Sequence, residues 1–201
     1  MIKPPLNQSI RDSHTQTANE TPGLSRRTFL RTLAAGAAGA LMLPSNEVFA
    51  KTFGESRQLS FLNLHTNEKL QIGCCPGKRY DPRTLNRLNE FLRDHRTGQV
   101  HPIDPALLDI LNAVSSLTHS RGTFQVICGY RSPQTNSMLH RTSTGVVENS
   151  LHTVGKAIDV RLNDVSTKAL QRAGIALQKG GVGYYRQSDF VHLDTGRFRV
   201  W

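Results

Sequence analysis

SLHTVGKAID, residues 150–159, decides how this chain folds, and DFVHLD, residues 189–194, complements it further along the sequence. The first segment predicts a loop histidine followed by a strand aspartate, and the second predicts a strand with its histidine on one face. Two imidazoles and one carboxylate suit a catalytic zinc ion, which keeps a fourth position for water. We therefore expect the fold to bring His152, Asp159 and His192 together.

The first 50 residues are predicted to precede the folded domain. Residues 1–24 are polar, which is typical of a disordered leader. SRRTFL at residues 25–30 is a twin-arginine pattern, an apolar run follows, and VFA at residues 48–50 suits a cleavage site. These features predict export by the Tat route to the periplasm or cell envelope, with processing after Ala50. The apolar run is shorter than the roughly 20 residues that span a bilayer, so only an uncleaved signal would leave a membrane tether.

Residues 51–201 are predicted to form one α+β domain, with N-terminal helices packed on a small antiparallel sheet that carries the zinc site. Helical spacing and strand alternation of apolar residues give the expected elements. Helices are expected over residues 83–96, from residue 104 and over 167–178, and residues 134–150 are expected to be a loop or a short helix with a loop. Strands are expected within 57–72 as a pair, at 124–128, at 156–162, and at 180–185 and 190–194 as a last pair.

The chain is strongly basic, with a formal net charge of +10, of which +8 remains when the first 50 residues are removed. Net charge bears on solubility and nonspecific binding rather than on fold. For an exported protein the charge suits an anionic envelope polymer, and solubility alone explains it equally well. We expect no nucleic-acid binding, because the sequence offers no recognition helix with a basic face and no stacking aromatics.

Three cysteines occur in the chain, at Cys74, Cys75 and Cys128. Their spacing contains no C-x-x-C pair, so a structural zinc knuckle is not predicted. One long-range disulfide, from Cys74 or Cys75 to Cys128, is permitted outside the cytoplasm and would leave one thiol over. Cys128 lies in an apolar, strand-like run, which favours the role of a small buried hydrophobic residue.

Three motifs together resemble those of the LAS-type zinc peptidases. They are GYRSP at residues 129–133, SLHTVGKAID at residues 150–159, and GGVGYY at residues 180–185 followed by HLDTG at residues 192–196. This superfamily includes D-Ala-D-Ala carboxypeptidases, D,D-dipeptidases, phage L,D-endolysins and murein endopeptidases. The likeness is strongest to the murein endopeptidase K branch and extends over roughly residues 57–201. It implies a zinc-dependent endopeptidase that hydrolyses cross-links between the peptide stems of peptidoglycan during cell wall remodelling.

The resemblance also implies roles for single residues. One zinc ion per chain would be held by His152, Asp159 and His192, and Arg131 would bind a substrate carboxylate or steady an oxyanion. Related enzymes use an acidic residue three positions before the last ligand histidine as general base, or a histidine two positions before it. Asp189 occupies the first of these positions and a phenylalanine the second, so Asp189 is the candidate general base.

Two further residues are expected to support the site or only the fold. Asp194 shares a strand face with His192, so it either orients that imidazole or braces the following Thr195-Gly196 turn. Ser150 either forms a hydrogen bond near the metal or caps its own loop.

Two other functions stay open at this point. A carboxypeptidase or dipeptidase could use the same scaffold, because endopeptidases and exopeptidases differ in how the cleft is closed. A wall-binding protein with a metal site that does no chemistry would carry the same ligands.

Overall fold

A seven-stranded β-sheet is the framework of the computed structural model, which describes residues 57–75, 79–143 and 145–201. The predicted leader and export signal lie outside the described residues. The order across the sheet is β2-β1-β3-β4-β6-β5-β7. The strands are β1 (Arg57–Asn63), β2 (Lys69–Cys74), β3 (Thr123–Cys128), β4 (Ala157–Leu162), β5 (Gly181–Tyr185), β6 (Phe190–Asp194) and β7 (Arg199–Val200).

The sheet is mixed, and it is larger than the small antiparallel sheet expected from the sequence. Strand β1 pairs in parallel with β3, and β5 pairs in parallel with β7. The pairs β1–β2, β3–β4, β4–β6 and β5–β6 are antiparallel. Strand β7 escaped prediction because two residues are too short to show an alternating pattern.

Four α-helices connect these strands, and their bounds are α1 (Pro82–Phe91), α2 (Ala106–Leu117), α3 (Pro133–Thr142) and α4 (Thr167–Leu177). The side chains of Asp81, Ser132 and Ser166 cap α1, α3 and α4 by accepting backbone hydrogen bonds in the first turn. Helix α2 contacts β2, β6 and α4, and α4 contacts β4, β5 and β6. Among the described helices, none combines the length and apolar character that a membrane crossing requires.

Strand β4 lies in the middle of the sheet and is buried on both faces for most of its length. Ile158 and Val160 belong to the hydrophobic core, which also contains Leu170 of α4. Residues alternate along a strand, so Asp159 projects from the opposite face. Burying an aspartate in a central strand is costly unless it finds partners, and this marks the second face as a functional surface.

Helix α1 ends at Phe91 rather than at the predicted residue 96. Asp94 explains the difference, because its buried carboxylate accepts hydrogen bonds from the backbone N–H of Arg96 at 2.8 Å and of Ser132 at 2.8 Å. The Ser132 hydroxyl donates to it as well, at 2.6 Å. Burial alone would raise the pKa of Asp94, but these bonds hold the pKa well below its usual range. Asp94 thereby ties the chain after α1 to the loop that carries Arg131.

We expect Asp94→Ala to lower the free energy of unfolding at pH 7 by about 2–4 kcal/mol, since two buried Ser132 donors lose a charged acceptor. The folded-state pKa lies below the unfolded one, so the carboxylate contributes fully above about pH 5 and progressively less as the pH falls below about 4. The difference between the two proteins should therefore shrink in acid. Urea unfolding at pH 7, 5 and 3 measures this, with the exposed Glu90→Gln as control. A difference that stays constant down to pH 3 would contradict the assignment.

Among the described residues, Cys74 and Cys128 have free thiols, and since both predicted pairings need Cys128, the permitted disulfide is not formed. Cys74 pairs with Arg57 at the start of β1, whereas Val126, near Cys128, pairs with Asn63 at its end. The length of β1, about 20 Å at 3.3 Å per residue, separates the two positions along the sheet. A disulfide needs Cα atoms about 4.4–6.8 Å apart, so this fold cannot close the Cys74–Cys128 pair.

Candidate metal centre

Three donor atoms converge on the second face of the sheet, and they belong to His152, Asp159 and His192. Asp159 Oδ1 lies 2.8 Å from His192 Nδ1 and 3.2 Å from His152 Nε2. The two imidazole nitrogens are 3.2 Å apart. All three residues are buried. The structure thus brings together the three residues that were predicted as metal ligands.

Strand register and one tight turn position these donors. Asp159 of β4 and His192 of β6 are directly opposite each other, so both side chains project from the same face. His152 comes from a 3-10 turn, Leu151–Val154, in which Ser150 Oγ accepts a hydrogen bond from the backbone N–H of His152. Gly155 ends the turn with φ of 67°, and a Cβ at this position would collide with the carbonyl oxygen of Pro102. Only glycine suits the position of Gly155. Of the two roles considered for Ser150, the contact observed is the capping of its own loop.

Each imidazole has one nitrogen engaged by an acceptor. His152 Nδ1 lies 2.7 Å from the carbonyl oxygen of Gly129, so it carries the proton and leaves the Nε2 lone pair for the centre. His192 Nε2 lies 3.0 Å from Asp194 Oδ2, which leaves Nδ1 for the centre in the same way. Asp194 also accepts from the N–H groups of Gly181 and Gly196. It therefore makes the contacts of both roles considered for it.

Charge in the cluster is strongly coupled. Burial alone would lower the pKa of His152, but the neighbouring Asp159 carboxylate raises this pKa well above its usual value. Burial alone would raise the pKa of Asp159, and His152 and His192 lower it well below its usual range. Asp159 is accordingly ionised at neutral pH, as a carboxylate ligand of a metal must be.

The donor set fits a zinc ion. Nitrogen and carboxylate ligands at about 2.0–2.2 Å from tetrahedral zinc lie about 3.3–3.6 Å from one another. The observed separations of 2.8–3.2 Å are slightly shorter, so a small outward movement of the three donors would make room for the ion. The raised pKa of His152 indicates that a proton occupies this space beside the Asp159 carboxylate, and a metal cation would take the place of that proton. Three protein ligands would leave the fourth position open, which distinguishes a catalytic from a structural site.

Cys128 is a further possible donor, although its sequence context favoured a role in the core. Its Sγ and the donor atoms of His152 and Asp159 all lie within 4.8 Å of one another. Burial alone would raise the pKa of this thiol, but the positive charges of His152 and Arg131 lower it. The described residues therefore contain a possible Cys/His/Asp metal site that overlaps the predicted one. The only sequence signal was the position of Cys128 immediately before the GYRSP motif.

Arg131 lies beside the donors with spare hydrogen-bonding capacity. Its Nη2 is 3.9 Å from Asp159 Oδ2, the oxygen that faces away from both histidines, and 3.5 Å from Cys128 Sγ. Nη1 donates to Asn136 Oδ1 at 3.3 Å. The side chain is 11% exposed, and its Nε is buried without a hydrogen-bond partner among the described residues. A guanidinium with such weak contacts can donate two hydrogen bonds to an anion without first breaking a strong bond.

Asp189 is not brought to the cluster. Its carboxylate accepts a hydrogen bond from Thr167 Oγ1 at 2.7 Å and pairs with Arg161 Nη1 at 3.5 Å. The residue has φ of 50°, and its side chain is 60% exposed. Its neighbours Ser188 and Phe190 line the cleft over the donors, which places Asp189 at the cleft margin.

An open cleft of about 860 Å³ lies over the donor atoms. Its aromatic lining consists of Tyr185, Phe190 and Trp201, and residues 145–152 form another part of the lining. Its charged lining residues are Arg131, Arg199, Glu148 and Asp159. Sequence reasoning missed Arg199 and Trp201, because nothing in the sequence shows that β7 returns to the site.

Comparison with known proteins agrees with this geometry. A peptidase M15 family model described as peptidoglycan L,D-endopeptidase MepK matches residues 51–201. The peptidoglycan L,D-endopeptidase MepK of Escherichia coli (strain K12) is 37% identical over 177 residues, which cover 88% of this chain and 97% of the relative. The probable peptidoglycan L,D-endopeptidase MepK of Haemophilus influenzae is 40% identical over 166 residues, which cover 82% of this chain and 89% of the relative.

The chain is therefore a peptidase of the M15 class, the class that a buried His-Asp-His cluster under an open cleft would suggest. Within that class it belongs to the family of peptidoglycan L,D-endopeptidase MepK. The resemblance to the murein endopeptidase K branch, seen first in three short motifs, is confirmed over the whole matched region.

Proposed function

We propose that this protein is a zinc metallopeptidase that hydrolyses L,D-peptide bonds in the cross-links of bacterial peptidoglycan. The observation that carries the proposal is the convergence of three buried donor atoms and one underused guanidinium beneath an open cleft. The activity printed in the names of the relatives supports the same substrate class.

His152, Asp159 and His192 would hold one zinc ion per chain. Bound zinc supplies Lewis-acid chemistry, lowering the pKa of water and polarising a carbonyl group. The hydrogen bonds of Gly129 and Asp194 keep the two imidazoles in the required tautomers. Burial of the donors excludes bulk water and strengthens every charge interaction in the site.

Arg131 would bind a carboxylate of the peptide stem or the developing oxyanion. Its guanidinium presents a planar fork, which matches the geometry of a carboxylate. Arg131 and Arg199 both line the cleft. Peptidoglycan stems carry free carboxylates, and Arg131 is the guanidinium that would pair with one, since Arg199 is already paired with Asp194. The openness of the cleft to solvent suits a chain that continues on both sides of the cleaved bond, as in an endopeptidase.

The place of action is proposed from the pattern of the first 50 residues. We propose that the twin-arginine segment directs export by the Tat route and that the protein works in the periplasm or cell envelope. The net charge of +8 beyond residue 50 would help the protein to stay on the anionic wall.

The direct test is digestion of purified peptidoglycan by the protein with and without zinc, beside His192→Ala, with the products resolved by mass. We expect cross-linked dimeric muropeptides to fall to monomers only with zinc and intact His192. Loss of a terminal D-alanine with cross-links intact would identify a carboxypeptidase instead. Unchanged muropeptides with zinc bound would overturn the catalytic proposal and favour a wall-binding role.

The proton acceptor of the reaction is proposed to be Asp189, although its carboxylate must first leave Thr167 and Arg161. Glu148 is the alternative acidic residue, since it lines the cleft and is not one of the proposed metal ligands. We expect Asp189→Asn to lower kcat by about 100-fold, the lower range of general-base contributions, and Glu148→Gln to lower it far less. A larger loss of kcat in Glu148→Gln than in Asp189→Asn would instead assign the role of proton acceptor to Glu148.

A further inference from the structure

Two rows of side chains run across the sheet from the donors to β7. Asp159, His192 and Gly183 are successive partners across β4, β6 and β5. Trp201 follows in the same row, because its N–H and C=O bond to Val182 and Tyr184 on either side of Gly183. In the adjacent row Gly181 pairs with Arg199, and the N–H of Gly181 donates to the side chain of Asp194 at 2.9 Å. In both rows a glycine of β5 thus lies between a β6 residue and a residue of β7 or, for Trp201, the residue that follows β7.

Arg199 reaches Asp194 across Gly181. Its Nη2 lies 2.7 Å from Asp194 Oδ2 and its Nη1 lies 3.1 Å from Asp194 Oδ1, which is a bidentate ion pair. The same Oδ2 accepts from His192 Nε2 at 3.0 Å. The guanidinium, the carboxylate and the imidazole therefore form one chain of charge-assisted contacts that ends at a metal donor.

Trp201 reaches His192 across Gly183. The centroids of the indole and imidazole rings are 5.2 Å apart, and the planes are tilted by 50°. The indole is fixed by Nε1 donating to the hydroxyl of Tyr185 at 3.1 Å and by the Arg199 guanidinium 4.8 Å from its centroid. A Cβ on Gly183 would lie only 2.6 Å from an atom of the indole ring. Position 183 therefore requires glycine, because any side chain there would collide with the indole of Trp201.

We propose that Arg199 and Trp201 are positioning residues that hold the His192 imidazole in its metal-binding orientation, so that β7 sets the affinity of the centre for zinc. The inference rests on the proposed function, because it concerns the same site. Asp194 restrains Nε2 of His192, and the indole restrains the plane of the imidazole ring. Together they keep Nδ1 pointed toward the other metal donors. Outer partners of this kind typically affect metal affinity by about 10–100-fold.

The test measures the zinc dissociation constant by chelator competition in four variants, with two matched controls on the same segment. Arg199→Met keeps the length and removes both hydrogen bonds, and Arg199→Lys keeps the charge. Trp201→Ala removes the indole, and Gly183→Ala displaces it without changing it. The controls are Phe198→Ala and Val200→Ala, whose exposed side chains lie outside both rows.

We expect Arg199→Met to raise the dissociation constant by about 10–100-fold, with a smaller rise in Arg199→Lys and in both variants that disturb the indole. The controls should stay within about twofold. Nitrogen NMR of His192 should show loss of the single Nε2–H tautomer in the same order. An unchanged dissociation constant in Arg199→Met and Gly183→Ala, even with a lower melting temperature, would reduce β7 to a structural strand and overturn the proposal.

The outcome separates this inference from the proposed function. If the variants lose zinc affinity as expected but the wild type leaves muropeptides uncut, the peptidase proposal fails and the positioning roles stand. If the wild type cuts cross-links and Arg199→Met binds zinc and cuts equally well, the positioning roles fail and the peptidase proposal stands.

Discussion

Asp159→Asn is expected to lower kcat/KM on cross-linked muropeptides by at least about 1,000-fold, since metal catalysis supplies several kcal/mol and each 1.4 kcal/mol is a factor of ten. The amide keeps the size of the side chain but removes the charge that faces His152 and His192. Zinc affinity should fall by at least about 100-fold, more than for loss of an outer partner. Chelator competition and muropeptide kinetics measure the two effects.

Glu90→Gln is the matched control for this substitution, because it makes the same chemical change on a side chain that is 64% exposed. Both quantities should stay at the wild-type value in the control. Cys128→Ser separates the two overlapping donor sets, and we expect it to leave zinc affinity nearly unchanged. A loss in Cys128→Ser as large as that in Asp159→Asn would replace His192 by Cys128 as the third ligand.

Arg131→Lys is expected to lower kcat/KM by about 100-fold while zinc affinity stays near the wild-type value. Lysine keeps the positive charge, so a purely electrostatic role would survive the change. The planar fork is lost, and with it the two parallel hydrogen bonds to a carboxylate or oxyanion. The buried Nε without a partner indicates that the guanidinium is aligned for an additional acceptor rather than saturated by the fold.

The exposed Arg121 provides the control for this second prediction, because Arg121→Lys makes the same change away from the cleft. Separate values of kcat and KM add information, since loss of an interaction made equally in the ground state and the transition state raises KM alone. Loss of an interaction made only in the transition state lowers kcat. A variant with wild-type kcat and KM would contradict any contact between Arg131 and the substrate.

The metal donors were predictable from sequence because their chemistry restricts them to few residue types. His152 and Asp159 are close in the chain, and the alternation around His192 places it on one face of a strand. Strand β4 and helix α4 were predictable for a similar reason, since each contains a regular apolar pattern.

Contacts between distant residues explain what sequence could not provide. Asp189 bonds to Thr167, which lies 22 positions away, and no local pattern indicates that partner. Helix α1 ends early because Asp94 is drawn to Ser132, which lies 38 positions away. Period-two alternation is the same in parallel and antiparallel strands, so it does not reveal that β1 and β3 are parallel. That pairing depends on the path of the chain through the helices between the two strands.

The shortness of β7 has a consequence for local opening of the native state. Two residues in regular pairing give little resistance to fraying, so the amides of Tyr184 and Trp201 should exchange with solvent deuterium through small openings. Metal binding by His192 would oppose those openings, because His192 contacts Trp201 directly and Arg199 through Asp194. Slower exchange at these two amides on zinc addition, with unchanged exchange in the β1–β2 hairpin, would make β7 a built-in reporter of metal occupancy.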